Sequence, residues 1–536
     1  MTESEKSKYK LLRTVLWVIA VIVVALMIPN VIKNTGQKRV DIGSVNSDWA
    51  KLMVILQTMD DNYVDDIDHK KVTEDILPAL MKELDPHSVY LPPSDLQEAE
   101  ESLQGGFDGI GIQFNVPADT AIVTNVIVGG PSEKAGLMTG DRIIKVDETV
   151  IAGVKMDQDS MVRLMKGPKG TKVTISVKRS GAEELIPFRI TRDKIPVNSI
   201  DVAFMLNDTT GYIKLSKFAR TSYLEFLEAA ADLRLQGMKR LIFDLRDNTG
   251  GYLDQALLLS NEFLQKGDLI VYMEGKHRKR EDMYADGRGS CQSIKLAVLI
   301  NEASASSSEI FAGAMQDNDR ATIYGVRSFG KGLVQEPVYF TDGSGIRLTI
   351  QRFYTPSGRC IQKPYADDYD YDIIHRYNNG ELFNADSIKV VDSLKYTTKG
   401  GRTVYGGGGI IPDVFVPLDT VGTNDFYAKC NRLGLQNKYA SHFFDANSAA
   451  LREQTTLESL NRFLDSKDVE AGFLRYAAAN GAVPKGDEWD RAKEYVLPQV
   501  RALIARYSPL GDKGFYPIYL TTDSIIEIAA DGSRDI

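Results

Sequence analysis

The sequence predicts an α/β protein with a small β domain inserted ahead of its core, helical regions at both ends, and one N-terminal transmembrane helix. Three observations carry this reading. Strand-like and helix-like patterns alternate from about residue 196 to 418, as expected for strands layered against helices. Before them, from Gly105 to about Asp193, short strands and glycine turns dominate. Near the start, an uncharged run from Thr14 to Ile32 follows Lys6, Lys8, Lys10 and Arg13.

Composition bounds the answer. The chain has 536 residues, room for three or four domains at roughly 100–200 residues each. Hydrophobic residues make up 43% and charged residues 26%, which excludes a mostly disordered chain and a polytopic membrane protein. The formal net charge is −9, so general nucleic-acid binding is not expected. Cys291, Cys360 and Cys430 are widely separated, no C-x-x-C pair exists, and only five histidines are present. A cysteine zinc site, a disulfide and His-cluster chemistry are therefore not expected.

The apolar run of 19 residues is close to the roughly 20 that cross a bilayer as a helix. It is longer than a signal-peptide core, and no A-x-A-like cleavage site follows. The basic flank predicts that this end stays cytoplasmic and the rest is exported. Residues 1–33 are thus expected to be a cytoplasmic flank and single-pass anchor. Residues 34–104 read as helical, broken at Asp85-Pro86-His87-Ser88. Residues 105–193 form the β domain, with strands at Ala121–Val126 and Lys172–Val177 and a helix at Gln158–Met165. Residues 194–418 form the α/β core, with strands at Gly211–Leu215, Arg240–Leu245, Leu296–Ile300 and Ala321–Gly325. Residues 419–536 are a helix-rich extension with no chemical motif. The basic run Lys276–Arg280 reads as a solvated loop.

Three segments of the core point to chemistry. Asp244-Leu245-Arg246-Asp247-Asn248-Thr249-Gly250-Gly251 ends a buried strand in a polar turn with paired glycines, which can aim N–H groups at an oxyanion. Ile300 to Ala314 runs from a buried strand through Ser304, Ser306, Ser307 and Ser308 into a helix, whose N-terminus stabilises negative charge. Ser306 and Glu309 also fit a capping box, so local sequence leaves Ser306 either reactive or merely an N-cap. Phe329-Gly330-Lys331-Gly332 sets a lysine in a glycine turn, where desolvation can make it a base. A Ser–Lys pair would replace the Ser–His pair of other serine hydrolases.

Residues 105–193 resemble a PDZ domain, through Gly109-Ile110-Gly111-Ile112 followed by P-x-x-x-A-G-L-x-x-G-D-x-I beginning at Pro131. The resemblance implies that Gly109, Ile110, Gly111 and Ile112 form the loop that captures a peptide carboxylate. The larger stretch, about 45 to 418, resembles the C-terminal processing peptidases, or tail-specific proteases, of family S41. The matching pieces occur in order: Leu84-Asp85-Pro86-His87-Ser88, the PDZ, Asp244-Leu245-Arg246…Gly250-Gly251, Ser304–Glu309, Gly330-Lys331-Gly332…Gln335, Tyr354-Thr355-Pro356-Ser357-Gly358 and Gly408-Gly409-Ile410-Ile411-Pro412-Asp413.

That resemblance implies a ClpP/crotonase-like protease core and a serine endopeptidase needing no metal or cofactor. Ser306 matches the nucleophile rather than Ser304 or Ser308. Lys331 matches the general base, Gln335 the residue orienting it, and the backbones of Gly251 and Ser307 the oxyanion hole. The family commonly has Ala where Ser307 stands, a change expected to matter little. Expected partners are proteins or peptides with free, apolar C-termini and the membrane; the family often oligomerises, so a homo-oligomer is expected. The expected location is the bacterial inner membrane with the catalytic domain in the periplasm. The rival expectation is an inactive PDZ scaffold on the same fold.

Overall fold

The computed structural model describes residues 49–117, 119–365, 369–420 and 422–535. The anchor expected at 14–32 lies outside them. Among the described residues, no helix is long and apolar enough to cross a membrane. The chain divides into two units, Met1–Gln97 with Gln335–Thr349, and Glu98–Val334 with Ile350–Ile536.

In the first unit, helices Ala50–Asn62 and His69–Lys82 precede a short strand, Val89–Leu91, where the apolar spacing predicts only helix. The strand forms because it pairs antiparallel with Gly345, Ile346 and Arg347, a partner that local periodicity cannot reveal. Between helix and strand, the Asp85 carboxylate accepts from the N–H groups of His87 (2.7 Å) and Ser88 (2.8 Å) and from the Ser88 hydroxyl (2.7 Å). Burial opposes ionisation of Asp85, but these bonds together hold its carboxyl below the usual carboxylate value.

In the second unit, Gly106–Gly109 pairs antiparallel with Asp193–Pro196, so the chain enters and leaves the β domain side by side. Inside that domain, Ile112–Asn115, Ala121–Val126, Arg142–Val146, Lys172–Lys178 and Ile186–Thr191 form an antiparallel sheet in that order. Its core includes Ile110, Val123, Leu137, Ile143, Met161 and Ile175. The expected helix Gln158–Met165 is present, capped by Asp157. Asp141 of the Gly-Asp motif is wholly buried, and it is neutralised by Arg179 through Nε and Nη2 at 2.7 Å each.

The core sheet has six strands in chain order: β1 (Ile200–Met205), β2 (Thr210–Leu215), β3 (Arg240–Asp244), β4 (Lys295–Ile300), β5 (Thr322–Gly325) and β6 (Val414–Phe415). β1 and β2 are antiparallel, and every later pairing is parallel. Parallel strands laid down one after another by right-handed crossovers put all the crossover helices on one face. Those helices are α1 (Ser222–Leu235), α2 (Leu253–Asn261) and α3 (Ser307–Asp317). Side chains alternate along each strand, so Ile213, Leu241, Phe243, Val298 and Ile323 pack with Phe226, Leu259 and Phe311.

The other face carries Tyr212, Ile242, Ala297, Leu299 and Tyr324. It is covered by the last helix, α4 (Ser524–Asp531), through Ile525, Ile526 and Ala529, and by Leu520 just before it. Between β6 and α4, helices from Asp425–Leu433 to Asp512–Tyr519 form a separate apolar cluster around Phe443, Phe473, Val496 and Ile504. The β domain rests against these helices: Arg142 Nη1 meets Asp445 Oδ1 at 3.0 Å, and Arg452 Nη2 donates to the Thr139 carbonyl at 3.1 Å. Of the basic run expected as a solvated loop, Lys276 and His277 form a turn, while Arg278, Lys279 and Arg280 open the exposed strand Arg278–Tyr284, a hairpin partner of Leu269–Gly275.

Because α4 seals a face of the sheet, Ile526→Ala should cost about 2–4 kcal/mol, the usual range for emptying a buried isoleucine site. Urea unfolding of the two proteins, compared at equal slope, measures it.

Candidate active site

β3 and β4 end side by side, and the turns that follow them are laced together. Asp247 N–H donates to Asn301 Oδ1 at 2.9 Å, and Asn301 Nδ2 returns a bond to Asp247 Oδ1 at 2.8 Å. Ala305 N–H donates to the Asn248 carbonyl at 3.0 Å. Three hydroxyls bridge the same gap: Ser304 to the Leu245 carbonyl (2.8 Å), Ser308 to the Asn248 carbonyl (2.8 Å) and Ser307 to the Gly251 carbonyl (2.9 Å). The Ser307 hydroxyl, expected to be inert, therefore ties the two turns at the point where the oxyanion donors were assigned.

Close packing dictates the glycines. Gly250 has φ +103, and a Cβ there would lie 2.8 Å from Ser306 Cβ. Gly251 has φ +145, and a Cβ would come within 2.2 Å of the Phe218 carbonyl oxygen. Ser307 opens α3, so its N–H is one of the donors a helix cannot pair internally.

Ser306 stands apart from its serine neighbours. Ser304 and Ser308 are fully buried with hydroxyls engaged to backbone, whereas Ser306 is half-buried. Its φ of +54 is a conformation that serine seldom adopts, and it marks a sharp strand-to-helix elbow. It heads α3 as the N-cap of a capping box with Glu309: the Ser306 N–H donates to Glu309 Oε2 at 2.9 Å, and the Ser306 carbonyl accepts from the N–H groups of Glu309 and Ile310, each at 2.9 Å.

Glu309 reaches further than a cap. Its wholly buried carboxylate accepts four donors. Oε1 takes the Ser328 hydroxyl (2.6 Å) and the Gly330 N–H (2.7 Å), and Oε2 takes the N–H groups of Ser306 and Lys331, both at 2.9 Å. Burial dominates and raises its pKa, while the four donors act the other way. One oxygen thus holds the backbones of Ser306 and Lys331 together. Lys331 itself is half-buried.

The Lys331 turn has further supports that sequence reading missed. Arg376 donates to the Ser328 carbonyl at 3.1 Å and to that of Arg327, and Glu381 pairs with both Arg376 and Arg327. Lys363 lies between the rings of Phe329 (4.1 Å) and Tyr369 (4.0 Å), and burial lowers its pKa. Glu309 was visible as part of S-x-x-E, but Arg376 and Lys363 sit in no local pattern. Gln335 belongs to the first unit, where its Nε2 donates to the His87 carbonyl at 2.7 Å and to the Thr349 hydroxyl at 3.4 Å. The Asp85–Ser88 turn is what presents that carbonyl. In the PDZ, Gly109 ends the entry strand, Ile110 is buried, Gly111 turns at φ +77 and Ile112 begins the next strand.

The family models match this layout. Residues 209–372 match peptidase family S41, residues 109–188 a PDZ domain, and residues 426–508 a family of unknown function. A "Probable CtpA-like serine protease" of Staphylococcus epidermidis is 34% identical over 58% of this chain and 62% of its own length. One of Staphylococcus aureus is 32% identical over 68% of this chain and 72% of its own length. The structure of a photosystem II D1 C-terminal processing protease is 25% identical, covering 73% of this chain and 98% of that one, with a TM-score of 0.37. Fold and family models together define an α/β protein with an S41-type core and a PDZ domain. The chain belongs to peptidase family S41, among the CtpA-like proteins.

Below the first turn, Asp244 accepts from the Arg246 backbone N–H (2.9 Å), from Arg246 Nε (3.0 Å) and Nη2 (2.6 Å), and from the Tyr212 hydroxyl (2.6 Å). Burial opposes its charge, but Arg246, Lys214 and these bonds carry its pKa down to about 2. A carboxyl depressed in the fold stabilises it where the unfolded chain is also ionised. The contribution is therefore full well above 3.8 and is lost as pH falls through about 2. It amounts to roughly 2 kcal/mol. Unfolding free energy should thus fall most steeply as pH drops from 3.8 to about 2, and Asp244→Asn should flatten that slope in urea titrations.

Proposed function

We propose that the chain is a serine endopeptidase that cleaves proteins at or near their C-termini through a Ser306–Lys331 dyad. The observation that carries the reading is the strained, half-buried Ser306 tied through one carboxylate oxygen to the Lys331 backbone. Neutral Lys331 takes the proton of Ser306, whose Oγ attacks the substrate carbonyl. The N–H groups of Gly251 and Ser307 hold the resulting oxyanion. Lys331 then passes the proton to the leaving amine, and water hydrolyses the acyl-enzyme.

The PDZ selects substrates by their free C-terminal carboxylate at Gly109–Ile112, and apolar terminal side chains fit beside it. The amino-terminal segment anchors the chain in the inner membrane, with the catalytic domain in the periplasm and the protein assembled as a homo-oligomer. The supports are the basic flank before the apolar run and, for assembly, the habit of the family.

Ser306→Ala should reduce peptide cleavage by at least about 10⁴-fold. Lys331→Arg should do nearly the same while remaining folded by circular dichroism, because arginine cannot give up its proton at accessible pH. Near-normal hydrolysis by folded Lys331→Arg would remove the dyad and leave the scaffold reading.

A substrate with an amidated C-terminus should be cut more slowly than its free-acid twin, mainly through a higher KM. Equal rates for the pair would remove carboxylate capture.

A further inference from the structure

The sequence assigns no role to the end of the chain, yet that end reaches the turn carrying Gly251. Arg246, two residues beyond β3, spends Nε and Nη2 on Asp244. Its remaining arm, Nη1, donates to Asp523 Oδ2 at 2.7 Å. Asp523 is also the N-cap of α4, where its other oxygen accepts from the Ile525 N–H at 3.3 Å. One side chain therefore starts the helix that seals the sheet and completes the ligation of Arg246.

We propose that Asp523 is a positioning residue for the oxyanion-hole turn, acting through Arg246, so that the end of the chain completes the active site. This rests on the peptidase reading given above. The turn from Arg246 to Gly251 must hold one N–H to within a fraction of an ångström of the developing oxyanion. Arg246 sets the first residue of that turn. Its backbone N–H and guanidinium both bind Asp244, and its carbonyl accepts from Lys214 Nζ at 3.0 Å. A guanidinium held by a carboxylate on each side has one orientation. With Asp523 withdrawn, Nη1 loses its partner and Arg246 can swing, carrying the turn with it.

A second anchor of the tail supplies the control. Asp535 pairs with Arg240 at the opposite end of β3, at 2.7 Å from Oδ1 to Nη2, and accepts from the Tyr324 hydroxyl at 2.8 Å. It secures the tail without touching the turn. Damage to tail docking in general would affect both anchors, whereas positioning of the turn concerns Asp523 alone.

The test compares three full-length variants on one peptide, together with labelling of Ser306 by a serine-reactive phosphonate. Asp523→Ser keeps a good N-cap but is too short to reach Arg246. It should lower kcat and the labelling rate on the order of tenfold, less than loss of an oxyanion donor, with KM changed less than about twofold. Asp523→Asn keeps both cap and acceptor and should retain most of kcat. Asp535→Ser, which in the same way withdraws the second anchor, should leave kcat unchanged. A wild-type kcat in folded Asp523→Ser, or an equal loss in Asp535→Ser, would overturn the proposal. Should the serine variant not fold, Asp523→Thr preserves the cap and gives the same comparison. Wild-type protein that neither cleaves nor is labelled would overturn the peptidase reading, and this inference with it.

Discussion

The Glu309 carboxylate is the interaction on which the site depends. It lies at the first turn of α3, wholly buried, and receives four donors from two separate segments. A buried carboxylate with fewer partners would be costly to ionise, and a neutral one would set a hydroxyl against an N–H. Four convergent donors make the charge tolerable in this place. In doing so they fix the Ser306 elbow and the Lys331 turn to one point, although α3 and β5 separate them in the chain. Arg376, Glu381 and Lys363 then brace the Lys331 turn from its far side.

The sheet imposes the second constraint. Strands added in chain order place α1, α2 and α3 on the same face. The parallel strands still carry apolar side chains on both faces, as parallel sheets do, and the second face needs a cover. No crossover helix can supply it. The chain instead returns about a hundred residues after β6 to lay α4 across Tyr212, Ile242, Leu299 and Tyr324. The intervening helices form their own cluster and meet the PDZ at Arg142–Asp445. The C-terminal extension thus packs on both the β domain and the core sheet.

Much of this was legible in the sequence, for reasons that also explain what was not. Helix Gln158–Met165 and strands Arg240–Asp244 and Lys295–Ile300 follow from local periodicity, and all three stand where the pattern predicts them. The turns at Gly250 and Gly330 are visible because only glycine fits there. Strand Val89–Leu91 was not legible, since its identity lies in a partner more than 250 residues away. The same holds for Arg246–Asp523 and Arg240–Asp535, which join the middle of the chain to a tail with which it shares no local pattern. Ser306 was ambiguous because a capping box and a nucleophile elbow present the same residues. The fold makes a cap and an elbow compatible at one residue, since Glu309 binds the backbone N–H of Ser306.

That coexistence has an energetic side. A serine at φ +54 costs about 1–3 kcal/mol relative to ordinary backbone. Three features offset it locally. Ser306 N–H is bound to a charged acceptor, its carbonyl starts α3, and Gly250 leaves space where any Cβ would strike it. Each acts on the backbone of Ser306. The flanking serines do the opposite: Ser304, Ser307 and Ser308 give their hydroxyls to carbonyls of the neighbouring turn. Four serines within five positions therefore divide the work by exposure. The three buried ones hold the two turns together, and Ser306 is presented by a backbone whose strain the rest of the site has been built to hold.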